Sequence, residues 1–213
     1  AYPAVTAVQT VPPAGYKPFY LSHYARHGSR FLIDPDDYEQ PLEVMREADR
    51  NGVLTGLGKK TLCVLDSMSR MAKGRYGELT PLGARQHRGI AERMYKNFPE
   101  IFKGQVEIDA RSTVVIRCIL SMMAECNQLQ ALNPKLRFKN DASYHDMYYM
   151  NFSGDPHIKE MRKSPEVKAA KESIRKEHIH PERLMKTLFA NTDYLKWKVD
   201  AGELMISLFD VAS

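Results

Sequence analysis

Apolar residues recur at three- and four-residue spacing along much of the chain, which is the pattern of amphipathic helices. Leu42, Met45 and Ala48 show it first, and Asn51-Gly52 then ends the run. A further helix start is marked by Thr80, a good N-cap, followed by Pro81 at the first helical position. The pattern predicts helices over residues 38–50, 57–72, 81–97, 114–132 and 203–212.

Short stretches between these helices have the character of strands. Residues 19–25 form an apolar run that predicts a buried strand. Residues 105–108 alternate, and residues 136–138 are a further strand candidate. From Ser164-Pro165 onward, polar, Lys-rich helices are expected, broken near His180-Pro181 and Asn191.

Composition limits the class of protein. The chain has 213 residues and is 43% hydrophobic, enough for one core or for a core with a subdomain. It contains no run of about 18 apolar residues, so we expect no transmembrane segment. No signal peptide is recognised, and the Pro-rich lead-in over residues 1–17 is consistent with a mature end after leader removal.

The net charge of +5 lies in one stretch. Residues 159–198 carry eleven Lys or Arg against six Asp or Glu. Pairs such as Lys168–Glu172 and Glu182–Lys186 favour a solvated helix face, and the alternative is a basic rim that attracts a polyanion. Interleaved aromatic residues are lacking, so we expect no nucleic-acid partner.

Three cysteines cannot all pair with one another. Cys118 and Cys126 are predicted on one helix, about 12 Å apart, which is too far for a disulfide. Three of the histidines, His157, His178 and His180, have no partners at metal-ligand spacing, so no metal site is predicted. The sequence leaves the oligomeric state open.

The most informative chemistry follows the first predicted strand. It is the sequence Arg26-His27-Gly28-Ser29-Arg30. Guanidinium groups grip phosphate oxygens in a fork, and a neutral imidazole can attack phosphorus. Nearby positive charge also favours the neutral imidazole. The simpler interpretation is a strand that ends in exposed basic residues.

This stretch resembles the RHGxR signature of the histidine acid phosphatases, branch 2 of the histidine phosphatase superfamily. The wider sequence LSHYARHGSRF is most similar to the multiple inositol polyphosphate phosphatases, including bacterial phytases. Residues 77–83 match the G-x-L-T-x-x-G stretch common in the family, although a capped helix alone explains them. Leu32 stands where many members have proline.

The resemblance implies an α/β fold with a mixed, mainly parallel central sheet flanked by helices and an inserted helical subdomain. It divides the chain into a lead-in (1–17), the first part of an α/β phosphatase core (18–140) and a helical subdomain (141–213). The apolar helix near Ser213 has no stop signal, so we expect the chain to end within a longer protein.

The resemblance also implies site residues. His27 would be the nucleophile, with Arg26, Arg30 and Arg117 holding phosphate. Arg117 has Ser121 four residues on, as the family pattern requires, and Arg111 is the second choice.

Other polar residues are weaker candidates. His23 could contact substrate or be a hydrogen-bonded core histidine, and His145 is a further candidate for substrate contact. His87 is expected on a helix surface.

The family's general acid is the carboxyl of a downstream HD or HAE motif. No HAE occurs, and His145-Asp146 precedes the helical subdomain instead of following it. We therefore expect the acid outside this chain, with Asp146 as an outside candidate.

The function so implied is a phosphomonoester hydrolase that acts through phosphohistidine, without a cofactor, on inositol hexakisphosphate and lower inositol polyphosphates. The alternatives are a non-catalytic phosphate-binding fragment and a broad-specificity acid phosphatase. A secreted or periplasmic location is expected.

Overall fold

The computed structural model describes residues 10, 12–151, 154–194 and 199–213. The helices, in chain order, are α1 (Asp36–Arg50), α2 (Gly56–Ala72), α3 (Pro81–Asn97), α4 (Ile116–Leu132), α5 (Met147–Met150), α6 (Pro156–Lys163), α7 (Pro165–His178), α8 (Glu182–Leu188) and α9 (Ala201–Ala212). The strands are β1 (Glu107–Arg111) and β2 (Arg137–Asp141), and a 3-10 turn covers Tyr144–Asp146.

Helices α2, α3 and α7 begin directly after capping residues that the sequence shows. The Thr80 hydroxyl accepts a hydrogen bond from the Gly83 N–H at 3.1 Å, and Pro81 follows at the first helical position. Thr55 caps α2 and Ser164 caps α7 in the same way. These contacts satisfy N–H groups that have no partner inside a helix. The predicted starts of α2, α3 and α7 are confirmed to within a residue.

The two strands form a parallel pair connected through a helix. Glu107 lies opposite Arg137, and Arg111 lies opposite Asp141. Helix α4 connects the strands, so β1, α4 and β2 form the crossover unit that parallel pairing requires. The fold is therefore mixed α/β, as predicted, and it is mostly helical with a small parallel sheet of two strands.

The strand predicted over residues 19–25 does not form. These residues have no regular secondary structure, and Phe19 and Tyr20 are 95% and 73% exposed. A strand needs a neighbour that supplies backbone hydrogen bonds, and the apolar pattern reports only the side chains. The sheet of the described residues consists of β1 and β2 and does not include this run.

The chain divides into two compact units. The first unit comprises Ala1–Arg30 and Glu78–Asp155. Its core lies where α3 and α4 pack together, and includes Ala91, Phe102, Leu129 and Leu136.

The second unit comprises Phe31–Gly77 and Pro156–Ser213. In it α1 and α2 pack with α8 and α9 around fully buried Leu42, Met45 and Phe189.

The domain boundaries, the cysteines and the membrane segments were also subjects of prediction. The predicted boundaries after residues 17 and 140 stay predictions, and the lead-in lies largely outside the described residues. Cys118 and Cys126 lie on α4 as predicted, and all three cysteines are free thiols. Among the helices of the described ranges, none has the length and apolar character needed to cross a bilayer.

Candidate active site

The loop of residues 26–30 is tied to helix α4 through one buried serine. The Gly28 N–H donates to the Ser121 hydroxyl at 3.0 Å. That hydroxyl donates in turn to the Arg117 carbonyl oxygen at 2.8 Å. Ser121 lies one helical turn after Arg117. The hydrogen bond from Gly28 to Ser121 therefore places the loop next to the turn of α4 that carries Arg117.

The first turn of α3 holds the next residue of the loop. The Thr80 N–H and hydroxyl both donate to the Ser29 carbonyl oxygen at 2.9 Å. The Ser29 N–H and hydroxyl both donate to the Gln86 side-chain oxygen, at 2.8 and 3.1 Å. Thr80 therefore caps α3 and anchors the loop with the same hydroxyl.

Two glycines let the loop and the helix approach each other. A Cβ atom on Gly28 would collide with the backbone of Gly83, and one on Gly83 would collide with the backbone of Ser29. The glycines of the predicted G-x-L-T-x-x-G stretch and of the RHGSR sequence are thus in backbone contact. The start of α3 does more than begin a helix, because Thr80 and Gly83 also contact the loop.

The His27 ring has a defined tautomer. Its Nδ1 lies 2.8 Å from the Gly28 carbonyl oxygen. A carbonyl oxygen only accepts, so Nδ1 carries the proton and Nε2 keeps its lone pair. Burial lowers the pKa of His27 below its ordinary 6.5, and the charges of Arg117, Arg26 and Arg30 lower it further against the opposing Gly28 hydrogen bond. The neutral imidazole is therefore favoured, and in it Nε2 is available for bond formation.

The positive charges of the predicted arginines act on this imidazole. Arg117, Arg26 and Arg30 are all close enough for their charges to act on His27. Arg26 is exposed, whereas Arg30 and Arg117 are partly buried. Three guanidinium groups around one neutral imidazole form a site suited to an oxyanion with several oxygens, such as phosphate.

Arg111 belongs to a different cluster. Its guanidinium donates to both Asp109 oxygens at 3.1 and 3.0 Å, to Asp146 at 3.3 Å and to the Tyr149 hydroxyl at 3.2 Å. The Asp109 hydrogen bond is the main cause that raises the Arg111 pKa. Asp146 is buried, and exposed His145 lies 3.8 Å from it. Arg111, His145 and Asp146 therefore lie close to one another, in a cluster whose side chains pair with each other.

The expected surface position of His87 is wrong. His87 is only 2% exposed, between the Glu125 carboxylate at 2.8 Å and the Arg26 carbonyl oxygen at 3.2 Å. The carboxylate on the neighbouring helix allows a polar ring to be buried there. His23 is not a core residue either, because its side chain is 35% exposed and its Nε2 lies 3.4 Å from Glu125.

Sequence reasoning missed Gln86, His87 and Glu125. Helical spacing contained a signal for two of them. His87 is four residues after Gly83 and Glu125 is four residues after Ser121, so each shares a helix face with a residue that contacts the loop. Among the residues that the structure describes, no group of three or more His, Cys, Asp or Glu is arranged to hold a metal ion.

Comparison with known proteins gives similarity in structure only. No family model matches the chain, and no curated protein matches it. The chain is similar to the multiple inositol polyphosphate phosphatase of Bifidobacterium longum in complex with inositol hexasulfate, with a TM-score of 0.59 and 18% identity. The same enzyme in complex with phosphate gives a TM-score of 0.60, also at 18% identity.

The likeness shows the fold. Each of these matches covers 88% of this chain and 45% of that chain. The chain therefore has the α/β fold of part of these phosphatases and spans under half of their length. At this level of identity, the catalytic roles of individual residues rest on the geometry of the site itself.

Proposed function

We propose that this chain is part of a histidine acid phosphatase, most like the multiple inositol polyphosphate phosphatases, and that it forms a phosphohistidine on His27. The observation that carries the proposal is the His27 ring. Its Nδ1–H donates to the Gly28 carbonyl oxygen, so Nε2 keeps a lone pair. The positive charges of three arginines act on the same ring. The structural similarity supports the phosphatase class.

In the first step, the Nε2 lone pair of His27 forms a bond to phosphorus as the ester P–O bond breaks. Arg26, Arg30 and Arg117 bind the phosphoryl oxygens and stabilise their charge in the transition state. The leaving alkoxide takes a proton from a general acid, whose help is typically worth about 10² to 10⁴ in rate. Water then attacks the phosphohistidine and releases phosphate and free His27.

The general acid is proposed to come from a part of the protein beyond this chain. Asp146, the outside candidate within it, is buried and hydrogen-bonded to Arg111 at 3.3 Å. Its carboxyl group is thus engaged in the separate cluster that Arg111 forms with Asp109 and Tyr149.

The proposed substrate is inositol hexakisphosphate or a lower inositol polyphosphate. Support comes from the similar enzyme, whose structure contains inositol hexasulfate. The Lys-rich stretch is compatible with a polyanion, although Lys176 pairs with Glu172 at 3.6 Å, as expected of a solvated helix face. A phosphate-binding fragment without turnover and a broad-specificity acid phosphatase are the alternatives. A secreted or periplasmic location remains part of the proposal.

The test is phosphate release from inositol hexakisphosphate at acidic pH with EDTA present. Release that is lost in His27→Ala and kept in His178→Ala, an exposed histidine, would support the hydrolase. Binding without release, weakened in Arg30→Ala, would favour the phosphate-binding fragment. Release that persists in His27→Ala would overturn the proposed nucleophile.

A further inference from the structure

His87, a buried histidine of α3, faces a hydrogen-bond acceptor with each of its two ring nitrogens. Its Nδ1 lies 2.8 Å from a carboxylate oxygen of Glu125, and its Nε2 lies 3.2 Å from the Arg26 carbonyl oxygen. Since a carbonyl oxygen cannot donate, the Nε2 of His87 carries a proton.

Packing of the two helices fixes this pair. His87 lies on α3 and Glu125 on α4, the two helices that form the core of the first unit. The His87 side chain is 3% exposed and that of Glu125 is 13% exposed. The second oxygen of the carboxylate faces His23 at 3.4 Å. Buried polar groups that are paired this completely stay in one arrangement, because losing a partner leaves a desolvated group unsatisfied.

The contact acts on the peptide bond that joins Arg26 to His27. A peptide unit is planar, so fixing its carbonyl oxygen also fixes the direction in which the next residue leaves it. On the far side of His27, the Gly28 N–H is held by Ser121 at 3.0 Å. The nucleophile is therefore held from both sides, by α3 before it and by α4 after it.

We propose that His87 and Glu125 are positioning residues for the reaction, which orient the His27 ring by holding the Arg26 carbonyl oxygen. This inference rests on the proposed function, since it assigns the pair a role in that reaction. The pair touches no reacting atom. Its contribution is orientation, for which a displacement of about 1 Å costs roughly 100-fold in rate.

Two substitutions of His87 distinguish a positioning role in the reaction from a contribution to the stability of the fold alone. The amide nitrogen of Gln occupies nearly the place of Nε2, so His87→Gln keeps a donor for the Arg26 carbonyl oxygen and loses the bond to Glu125. The amide nitrogen of Asn occupies nearly the place of Nδ1, so His87→Asn keeps the bond to Glu125 and loses the one to Arg26. The exposed His178→Gln is the matched control.

The experiment measures the burst of nitrophenolate from 4-nitrophenyl phosphate, a substrate whose leaving group needs little help from an acid. Melting temperature and the Kd of inorganic phosphate are measured alongside. We expect His87→Asn to slow the burst by about 10- to 100-fold with a nearly unchanged phosphate Kd. His87→Gln should keep most of the burst rate even where its melting temperature is the lower of the two. Equal burst rates in the two variants would overturn the proposal.

If the wild-type chain gives no burst, that result counts against the proposed function but does not test the positioning role. A second measurement then tests the positioning role. Nitrogen-15 shifts of the His27 ring, assigned by comparison with His27→Ala, report its tautomer. We expect the Nδ1–H tautomer in wild type and in His87→Gln, and a mixture in His87→Asn. An unchanged tautomer in a folded His87→Asn would show that the pair does not orient the ring.

Discussion

At the scale of single residues, the site depends on keeping one imidazole neutral among cations. Burial and three arginines lower the pKa of His27 below 6.5, and the hydrogen bond to Gly28 opposes them only in part. A lower pKa means that the neutral ring persists to a more acidic pH than an ordinary histidine allows. The arginines proposed to bind phosphate therefore also favour the neutral form that the proposed nucleophile needs.

Removing one of these charges should raise the pKa of His27. Arg117 contributes the largest of the three charge effects, so Arg117→Gln should move the titration of His27 upward toward 6.5. The neutral fraction then falls at acidic pH, and phosphorylation of His27 slows there most. The titration is followed by NMR of the labelled ring, with Arg137→Gln, an exposed arginine of β2, as the control. A midpoint that stays in place or falls would contradict this account.

Some residues of the candidate site could be predicted from the sequence, and others could not. Arg26, His27 and Arg30 are adjacent in the sequence, and Arg117 could be placed because Ser121 follows at the family's spacing. Gln86, His87 and Glu125 carry no sequence motif, and their contacts arise only when α3 and α4 pack together. A burial pattern on one helix cannot indicate which polar partner the neighbouring helix supplies.

At the scale of elements, the start of α3 serves both the helix and the loop. One hydroxyl, that of Thr80, accepts from Gly83 and donates to the Ser29 carbonyl oxygen. The start of α2 has the same chemistry at a place without a candidate site. There, Thr55 accepts from Gly58 at 3.0 Å and donates to the Thr187 carbonyl oxygen at 2.7 Å.

The two caps therefore make a matched pair of variants. Thr80→Ala and Thr55→Ala should each destabilise the fold by about 1 kcal/mol, because each leaves a helix N–H without its partner. Only Thr80→Ala should weaken binding of inorganic phosphate, by roughly 5-fold if the loop loses a similar free energy. Thermal melting and calorimetric titration measure the two effects. An equal loss of phosphate binding in both variants would argue against an anchoring role for Thr80.

A second pair of variants tests the close approach of the loop to α3. A Cβ on Gly83 would collide with backbone atoms of Ser29, whereas one on Gly89, in the same helix, would lie 3.3 Å from the flexible end of Arg93. We expect Gly83→Ala to cost on the order of 1–3 kcal/mol in the free energy of unfolding. Gly89→Ala should be neutral or gain up to about 1 kcal/mol. Chemical denaturation measures both, and a tolerated Gly83→Ala would contradict the described packing.

The elements themselves were predictable to different degrees. Helix starts were well predicted because capping is local chemistry, set by residues such as Thr80 and Ser164. The strand expected over residues 19–25 was wrong because strand formation depends on a partner elsewhere in the chain. The parallel pairing of β1 with β2 also depends on a distant partner, although both short segments were recognised.

At the scale of the whole molecule, the chain has two units, each with its own core. It matches the α/β fold of known inositol polyphosphate phosphatases over 45% of their length. The apolar run near the site is exposed, with Phe19, Tyr20 and Tyr24 at 95%, 73% and 76%. Exposed apolar segments of this kind commonly mark contact surfaces or association sites.

We therefore expect the 213-residue chain by itself to associate with rising concentration. Phe19→Ser combined with Tyr20→Ser should reduce this association, because the change removes apolar surface from the exposed run. Tyr144→Ser is the control, since Tyr144 is 82% exposed but lies outside the run. Sedimentation velocity follows the effect. A chain that stays monomeric at all accessible concentrations would contradict the expectation.

The proposed mechanism requires that His27 takes up the phosphoryl group, so the phosphorylated intermediate should be trapped. The protein is mixed with 4-nitrophenyl phosphate, denatured at alkaline pH, where the P–N bond survives, and digested for mass spectrometry. We expect one phosphoryl group on His27, and none at that site in His27→Ala. A phosphoryl group on Ser29 in place of His27, or labelling that persists in His27→Ala, would contradict the proposed mechanism.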